Sequence, residues 1–197
     1  MKTAPPLAGI FVGGASRRMG RPKGLLCAPG TDETLIERLV GVARASGAEP
    51  VLLGDAAPYA GLAPDVPRLA DRPRGIGPLG GLAALLDRAG DRYAISLACD
   101  MPYVDGGALR ALMAALDDDD RATADVVATR RGPGAPLEPM LALWRAPRVR
   151  PALAEALGEG ARSFQALFAA LRVAEPELTP ALARALVEWA TPEDVGR

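Results

Sequence analysis

Between the first apolar run and Pro22 the chain reads Gly13-Gly14-Ala15-Ser16-Arg17-Arg18-Met19-Gly20-Arg21, and Lys23 closes the stretch. Glycines let a backbone approach an anion closely, and free N–H groups beside four cations suit phosphate oxygens. No Gly-x-x-x-x-Gly-Lys-Ser/Thr spacing can be drawn here, so it is not a P-loop; the plain alternative is a solvated basic turn. A second stretch, Asp71 to Gly81, holds Gly75, Gly77 and Gly80 at the G-x-G-x-x-G spacing of a dinucleotide site. That fingerprint needs a strand directly ahead of it, and Arg68-Leu69-Ala70 followed by Asp, Arg, Pro and Arg does not supply one. A turn into a helix, with glycines for close packing, accounts for the spacing equally well. The third stretch is Cys99-Asp100-Met101-Pro102. A carboxylate at a strand's carboxyl end can hold Mg²⁺ bound to phosphate oxygens; the alternative is an Asx turn or helix cap.

These stretches need elements to bring them together, and the apolar pattern supplies a series. Leu7–Val12 reads as a strand ending at Gly13-Gly14, and Leu35, Ile36, Leu39, Val42 and Ala43 follow a helical period, with Thr31 or Asp32 as the cap and Gly47 as the stop. Val51–Leu53 is strand-like, Leu79–Ala89 helical, and Tyr93–Cys99 a buried strand. Asp105 is placed to cap a helix over Leu109–Leu116, ahead of the acidic run Asp117–Asp120. Asp125–Thr129 and Met140–Trp144 read as strands, and Pro151–Leu157, Ser163–Leu171 and Pro180–Trp189 as helices. Such alternation predicts an α/β fold with a mostly parallel sheet, in which ligands sit beyond the carboxyl ends of the strands.

Composition narrows the chemistry. The chain has 197 residues, 49% of them apolar and 24% charged, which suits one globular domain and excludes disorder or a collagen-like repeat. It contains no histidine and only two cysteines. That excludes Ser-His-Asp and Cys-His catalysis, His-ligated metal and a disulfide scaffold, and leaves oxygen as the metal ligand. No signal peptide or membrane-spanning run is evident, so a soluble, cytoplasmic protein with no membrane partner is expected. Net charge is −1, which argues against a nucleic-acid partner. Up to Thr31, however, there are five bases and no acid. That local cluster points to a small anionic ligand.

Taken in order, Phe11-Val12-Gly13-Gly14-x-Ser16-x-Arg18-Met19-Gly20-x-x-Lys23, Asp71 with Gly77-Pro78-Leu79-x-Gly81, and Cys99-Asp100-Met101-Pro102 resemble the nucleotidyltransferase family that attaches a nucleotide to molybdopterin, and within it the guanylyltransferases. The likeness continues through Glu138-Pro139-Met140-x-Ala142-Leu143-Trp144 and Thr191-Pro192-Glu193-Asp194. It implies a three-layer α/β/α sandwich with a Rossmann-like, mostly parallel sheet. It further implies a single domain over 1–197, with a nucleotide-binding half at 1–105 and an acceptor-binding half at 106–197. Phe11, Val12, Gly13 and Gly14 would lie along base and sugar. Gly54, Asp71, Gly77, Pro78 and Gly80 would complete the nucleotide contacts, and Asp100 would hold Mg²⁺. Arg18 and Lys23 would bind the triphosphate, and together with Asp100 they form the implied catalytic set.

The implied reaction transfers GMP from GTP to the terminal phosphate of molybdopterin and releases pyrophosphate, with transient contact with other proteins of molybdenum cofactor biosynthesis. Such chemistry needs positioning and charge stabilisation rather than a protein nucleophile. The chain departs from the family in two places. Phe11-Val12 stands where Leu-Ala is usual, and Glu188-Trp189-Ala190 stands where an Asn-x-Asn faces the acceptor. Arg130, Arg131 and Arg162 are then the cations available to the acceptor. Beside this reading stand the same chemistry with CTP or another phosphorylated acceptor, such as a cobalamin precursor, and a non-catalytic nucleotide-binding protein using Gly75–Gly80.

Overall fold

The first strand, β1 (Leu7–Phe11), is buried along its whole length, and its side chains alternate between two cores. Ala8, Ile10 and the following Val12 face one, while Leu7 and Phe11 face the other. Such a period-two split is what a strand covered on both faces requires. The computed structural model describes residues 4–13, 20–115 and 123–195; Gly14, Arg18 and the acidic run Asp117–Asp120 lie outside the described residues.

The remaining strands are β2 (Glu49–Leu53), β3 (Arg68–Leu69), β4 (Tyr93–Ala98), β5 (Val126–Arg130), β6 (Leu137–Arg145) and β7 (Val173–Ala174). They form one seven-stranded sheet in the order β3-β2-β1-β4-β6-β5-β7. All neighbouring pairs are parallel except those of β6, which runs antiparallel to both β4 and β5. The helices are α1 (Leu35–Ala45), α2 (Pro78–Ala89), α3 (Gly106–Ala114), α4 (Ala146–Gly158), α5 (Phe164–Ala169) and α6 (Pro180–Ala185). One face of the sheet packs against α1, α3 and α6, the other against α2, α4 and α5. The result is the three-layer α/β/α arrangement. Among the described residues no helix is long and apolar enough to cross a membrane.

Several boundaries differ from the sequence reading for identifiable reasons. Helix α1 is capped by Thr34, not Thr31 or Asp32, because Thr34 and Glu37 close a reciprocal capping box, which satisfies two otherwise orphaned N–H groups. Residues 27–34 are instead a small turn, with the Ala28 N–H donating to the Glu33 carbonyl at 2.7 Å. Asp105 caps α3 as expected, its side chain accepting from the Ala108 N–H, but the helix starts at Gly106. Helix α4 begins five residues ahead of Pro151 and carries that proline inside it, burying Ala146, Val149 and Leu153 against the sheet. β3 and β7 are edge strands of two residues each, too short to leave a periodic pattern.

Candidate functional site

Along the chain, β1, β2 and β3 step outward to one side of the sheet, and β4 then returns to the opposite side of β1. The strand order therefore reverses between β1 and β4, and a crevice is expected beyond their carboxyl ends. There lies a cleft of about 560 Å³, lined by Phe11, Val12, Gly13, Lys23, Leu53, Gly54, Asp55, Asp71, Gly77, Pro78, Ala98, Cys99, Asp100 and Met140. Nine of the predicted site residues thus share one cavity, although they come from six separate stretches of sequence.

Two glycines make the cleft possible. Gly54 ends β2 at φ +98°, and a Cβ there would lie 2.9 Å from both the Cα and the N of Gly13. The two strand ends approach backbone to backbone, which only glycine permits at this φ. Gly80 serves a different end. It does not line the cleft; a Cβ on it would overlap the Pro73 carbonyl and press on Asp71. Its N–H donates to the Gly77 carbonyl at 3.1 Å and its carbonyl accepts from the Arg72 N–H at 2.9 Å. The missing side chain lets α2 lie close beneath the 71–73 segment and set Asp71 on the cleft wall. Gly77, at φ +76°, turns the chain into α2, so the G-x-G-x-x-G spacing is used for a turn and close packing.

The polar centre is an ion pair. Lys23 Nζ lies 2.7 Å from Asp100 Oδ2, with each side chain about one-fifth exposed. Lys23 opens a short 3₁₀ turn whose next residue, Gly24, is packed so tightly that a Cβ would meet Ile36 at 2.5 Å and Tyr59 at 2.8 Å. The turn that carries Lys23 therefore lies directly against Ile36 and Tyr59, with no room for a side chain at Gly24. Burial pushes the neighbouring Cys99 thiol up to about 12, helped by the Asp100 charge; it stays protonated and is no nucleophile at neutral pH. Burial likewise raises the Asp71 pKa from its ordinary value, against the opposing pull of Arg74.

At the sheet's other half, Arg130 donates to Glu175 Oε2 at 2.9 Å and to the Ala135 carbonyl at 2.5 Å. Arg131 pairs with Glu138 at 3.0 Å and with Glu188 at 2.6 Å. Arg162 is exposed, its guanidinium donating to the Ala161 carbonyl. None of the three lines the cleft. Glu188 does not stand as a lone negative charge, as its sequence position suggests, because it shares Arg131 with Glu138.

A family model described as the MobA-like NTP transferase domain matches residues 8–174. The chain belongs to the MobA-like NTP transferase family. Among its relatives, a protein named probable molybdenum cofactor guanylyltransferase from Opitutus terrae is 42% identical over 106 residues, 52% of each chain. One of the same name from Mycobacterium ulcerans is 44% identical over 105 residues, 50% of this chain and 51% of that one. The chain thus matches these curated relatives over about half their length. Molybdopterin-guanine dinucleotide biosynthesis protein A from Archaeoglobus fulgidus shares the fold, with a TM-score of 0.75, 22% identity, and coverage of 95% of this chain and 93% of that one. The family match stops short of α6 and the Glu188 segment.

Within this MobA-like domain, Leu53, Asp55, Ala98 and Met140 line the cleft but were not singled out from sequence. Asp55 had a signal, since it follows the strand-ending Gly54; Met140 lay in a quoted motif without an assigned role. The donor set also bears on a metal. Among the described residues no group of three His, Cys, Asp or Glu side chains could cage an ion. Mg²⁺ needs no such cage, because it is commonly held by one or two carboxylates together with substrate phosphates and water. Asp100, an oxygen ligand on the wall of a cleft large enough for a nucleotide, fits that demand.

Proposed function

We propose that the protein transfers GMP from GTP to the terminal phosphate of molybdopterin and releases pyrophosphate. The observation that carries this reading is the Lys23–Asp100 pair set opposite the Gly13–Gly54 contact at the reversal of strand order. The names of the relatives, matched over about half their length, support the choice of nucleotide and acceptor.

In the proposed reaction an oxygen of the acceptor phosphate attacks the α-phosphorus of GTP, and the bond from that phosphorus to the bridging α–β oxygen breaks. Negative charge grows on the leaving pyrophosphate. Lys23 leaves Asp100 to meet that charge, with Arg18, from the same glycine-rich stretch of sequence, as a second cation. Asp100 would hold Mg²⁺, which when bound neutralises the phosphate oxygens. Catalysis then rests on positioning and preorganised charge, which a histidine-free site can supply. Phe11 and Val12 flank the base, and the Asp71 carboxylate offers two acceptors to the paired N1–H and N2–H donors of guanine. Adenine and cytosine lack that donor pair, so their triphosphates would leave Asp71 unpaired in a partly dry wall.

The test is incubation with GTP and Mg²⁺ while following pyrophosphate. Release that depends on molybdopterin supports the reading. Equal release with CTP moves the assignment to a cytidylyltransferase, and nucleotide binding without release in the presence of molybdopterin moves it to a binding protein or another acceptor.

A further inference from the structure

Arg131 is the best placed of the three candidate acceptor cations, and it is already occupied. Its Nη2 reaches Glu138 Oε2 at 3.0 Å and Glu188 Oε1 at 2.6 Å. The two carboxylates are not equivalent. Glu138 is nearly enclosed, its side chain 12% exposed, and its second oxygen accepts from the N–H of Met140, which lines the nucleotide cleft, at 3.2 Å. Glu188 is 35% exposed and has no second bond among the described residues. Burial disfavours its charge, Arg131 favours it, and both Asp100 and Glu138 are near enough to repel it.

The backbone around Glu188 is pinned while its side chain is not. The Trp189 N–H donates to the Asp100 carbonyl at 2.9 Å, and the Trp189 ring is buried with Leu26, Ala28 and Leu35. Glu188 therefore sits beside the carboxyl end of β4, where the reacting phosphates must meet. An acceptor that ends in a phosphate monoester brings up to two negative charges to that place. It needs a cation, and it is opposed by any carboxylate left there. A guanidinium matches phosphate oxygens at least as well as it matches a carboxylate.

We propose that the Glu188 carboxylate is an internal stand-in for the acceptor's phosphate: it holds Arg131 until the acceptor arrives, then yields the guanidinium and turns to solvent. Glu138 keeps Arg131 in place throughout. This rests on the nucleotidyl-transfer reading for the identity of the acceptor, but not for the existence of the anion position. It assigns acceptor recognition to Arg131 rather than to Arg130, which Glu175 and the Ala135 carbonyl hold elsewhere. It also gives Glu188 the role of setting how strongly a phosphate must bind in order to enter.

Inorganic phosphate titrated into the free protein by calorimetry tests the anion position without any turnover. Glu188→Gln keeps the shape and removes the competing charge, so it should bind phosphate about two- to fivefold more tightly than the parent, the range expected for loss of one half-exposed ion pair. Adding Arg131→Gln should erase that gain. An unchanged or weaker affinity in Glu188→Gln, or a gain that survives loss of Arg131, overturns the proposal. With molybdopterin varied at saturating GTP, Glu188→Gln should lower the acceptor KM by a similar factor and leave kcat and the GTP KM alone. A raised acceptor KM would mean that Glu188 binds the acceptor directly, and would overturn the proposal as well. The parent's pyrophosphate assay judges the transfer reading separately, so the two failures are distinguishable.

Discussion

Lys23 and Asp100 neutralise one another across 2.7 Å, which means that the two groups the proposed reaction calls on also compete. An ammonium on Asp100 occupies the oxygen that a divalent cation would take, and the pair separates at least cost when a triphosphate offers Lys23 new oxygens. Lys23→Met should therefore lower kcat/KM about 10²–10³-fold, the usual loss for one donor aimed at developing charge. The same substitution should make the nucleotide-free protein bind Mn²⁺ more tightly, read by electron paramagnetic resonance. A variant that loses turnover but binds Mn²⁺ no better would mean that Lys23 does not guard Asp100. Asp71 carries a second conflict. Burial raises its folded pKa above that of the unfolded chain, so the unfolded state gives up its proton first. The folded protein then loses stability as pH rises from the ordinary Asp range through the raised value. Asp71→Asn should raise Tm modestly at pH 7, with the gain shrinking towards pH 3, and should weaken GTP binding in the same protein. A fall in Tm at pH 7 would show that the carboxylate serves the fold instead.

At the scale of elements, the ends of β1 and β2 meet through Gly13 and Gly54, and the contact is not symmetric. A Cβ on Gly54 would strike Gly13 at 2.9 Å from a backbone already at φ +98°, whereas a Cβ on Gly13 would meet Gly54 Cα at an ordinary 3.5 Å. Gly54→Ala should cost about 1–3 kcal/mol from strain and overlap, and Gly13→Ala clearly less, as read from urea midpoints. Equal losses would mean that the strand ends relax apart. These elements also show what could be read from sequence. β1 and β4 were legible because each is an apolar run ending in a turn, α1 because its buried positions keep a 3.6 period, and α2 because its apolar run after Gly77-Pro78 is too long for a strand. Lys23, Asp71 and Asp100 were recognisable through their motifs. β6 was found only in part, and its antiparallel direction not at all, since side-chain alternation is the same whichever way a strand runs. Gly80 was grouped with the nucleotide contacts because spacing cannot tell a glycine that faces a ligand from one that faces a carbonyl. The Arg131–Glu188 pair spans 57 residues and joins two segments with no local pattern in common, so only the fold reveals it.

For the whole molecule, the cleft belongs to no single element. β1, β2, β4, β6, the Lys23 turn and the start of α2 each contribute to its lining, and nucleotide binding should therefore stabilise the folded chain as a unit. A ligand held at about one hundred times its Kd adds about 2.7 kcal/mol to unfolding. For a domain of about 150–250 residues each kcal/mol raises Tm by about 2–4 °C. Mg²⁺ with GTP at such a concentration should thus lift Tm by about 5–10 °C in a thermal melt. The same concentrations of CTP or ATP should lift it much less, because neither base presents the two adjacent donors proposed to meet Asp71, and the partly buried carboxylate would stay unpaired. The control that ties the effect to the base rather than to the phosphates is Asp71→Asn, in which the GTP shift should fall towards that of CTP. Equal shifts for GTP and CTP in the parent protein would place base recognition elsewhere than Asp71, and a shift with none of the three would remove the nucleotide from this cleft.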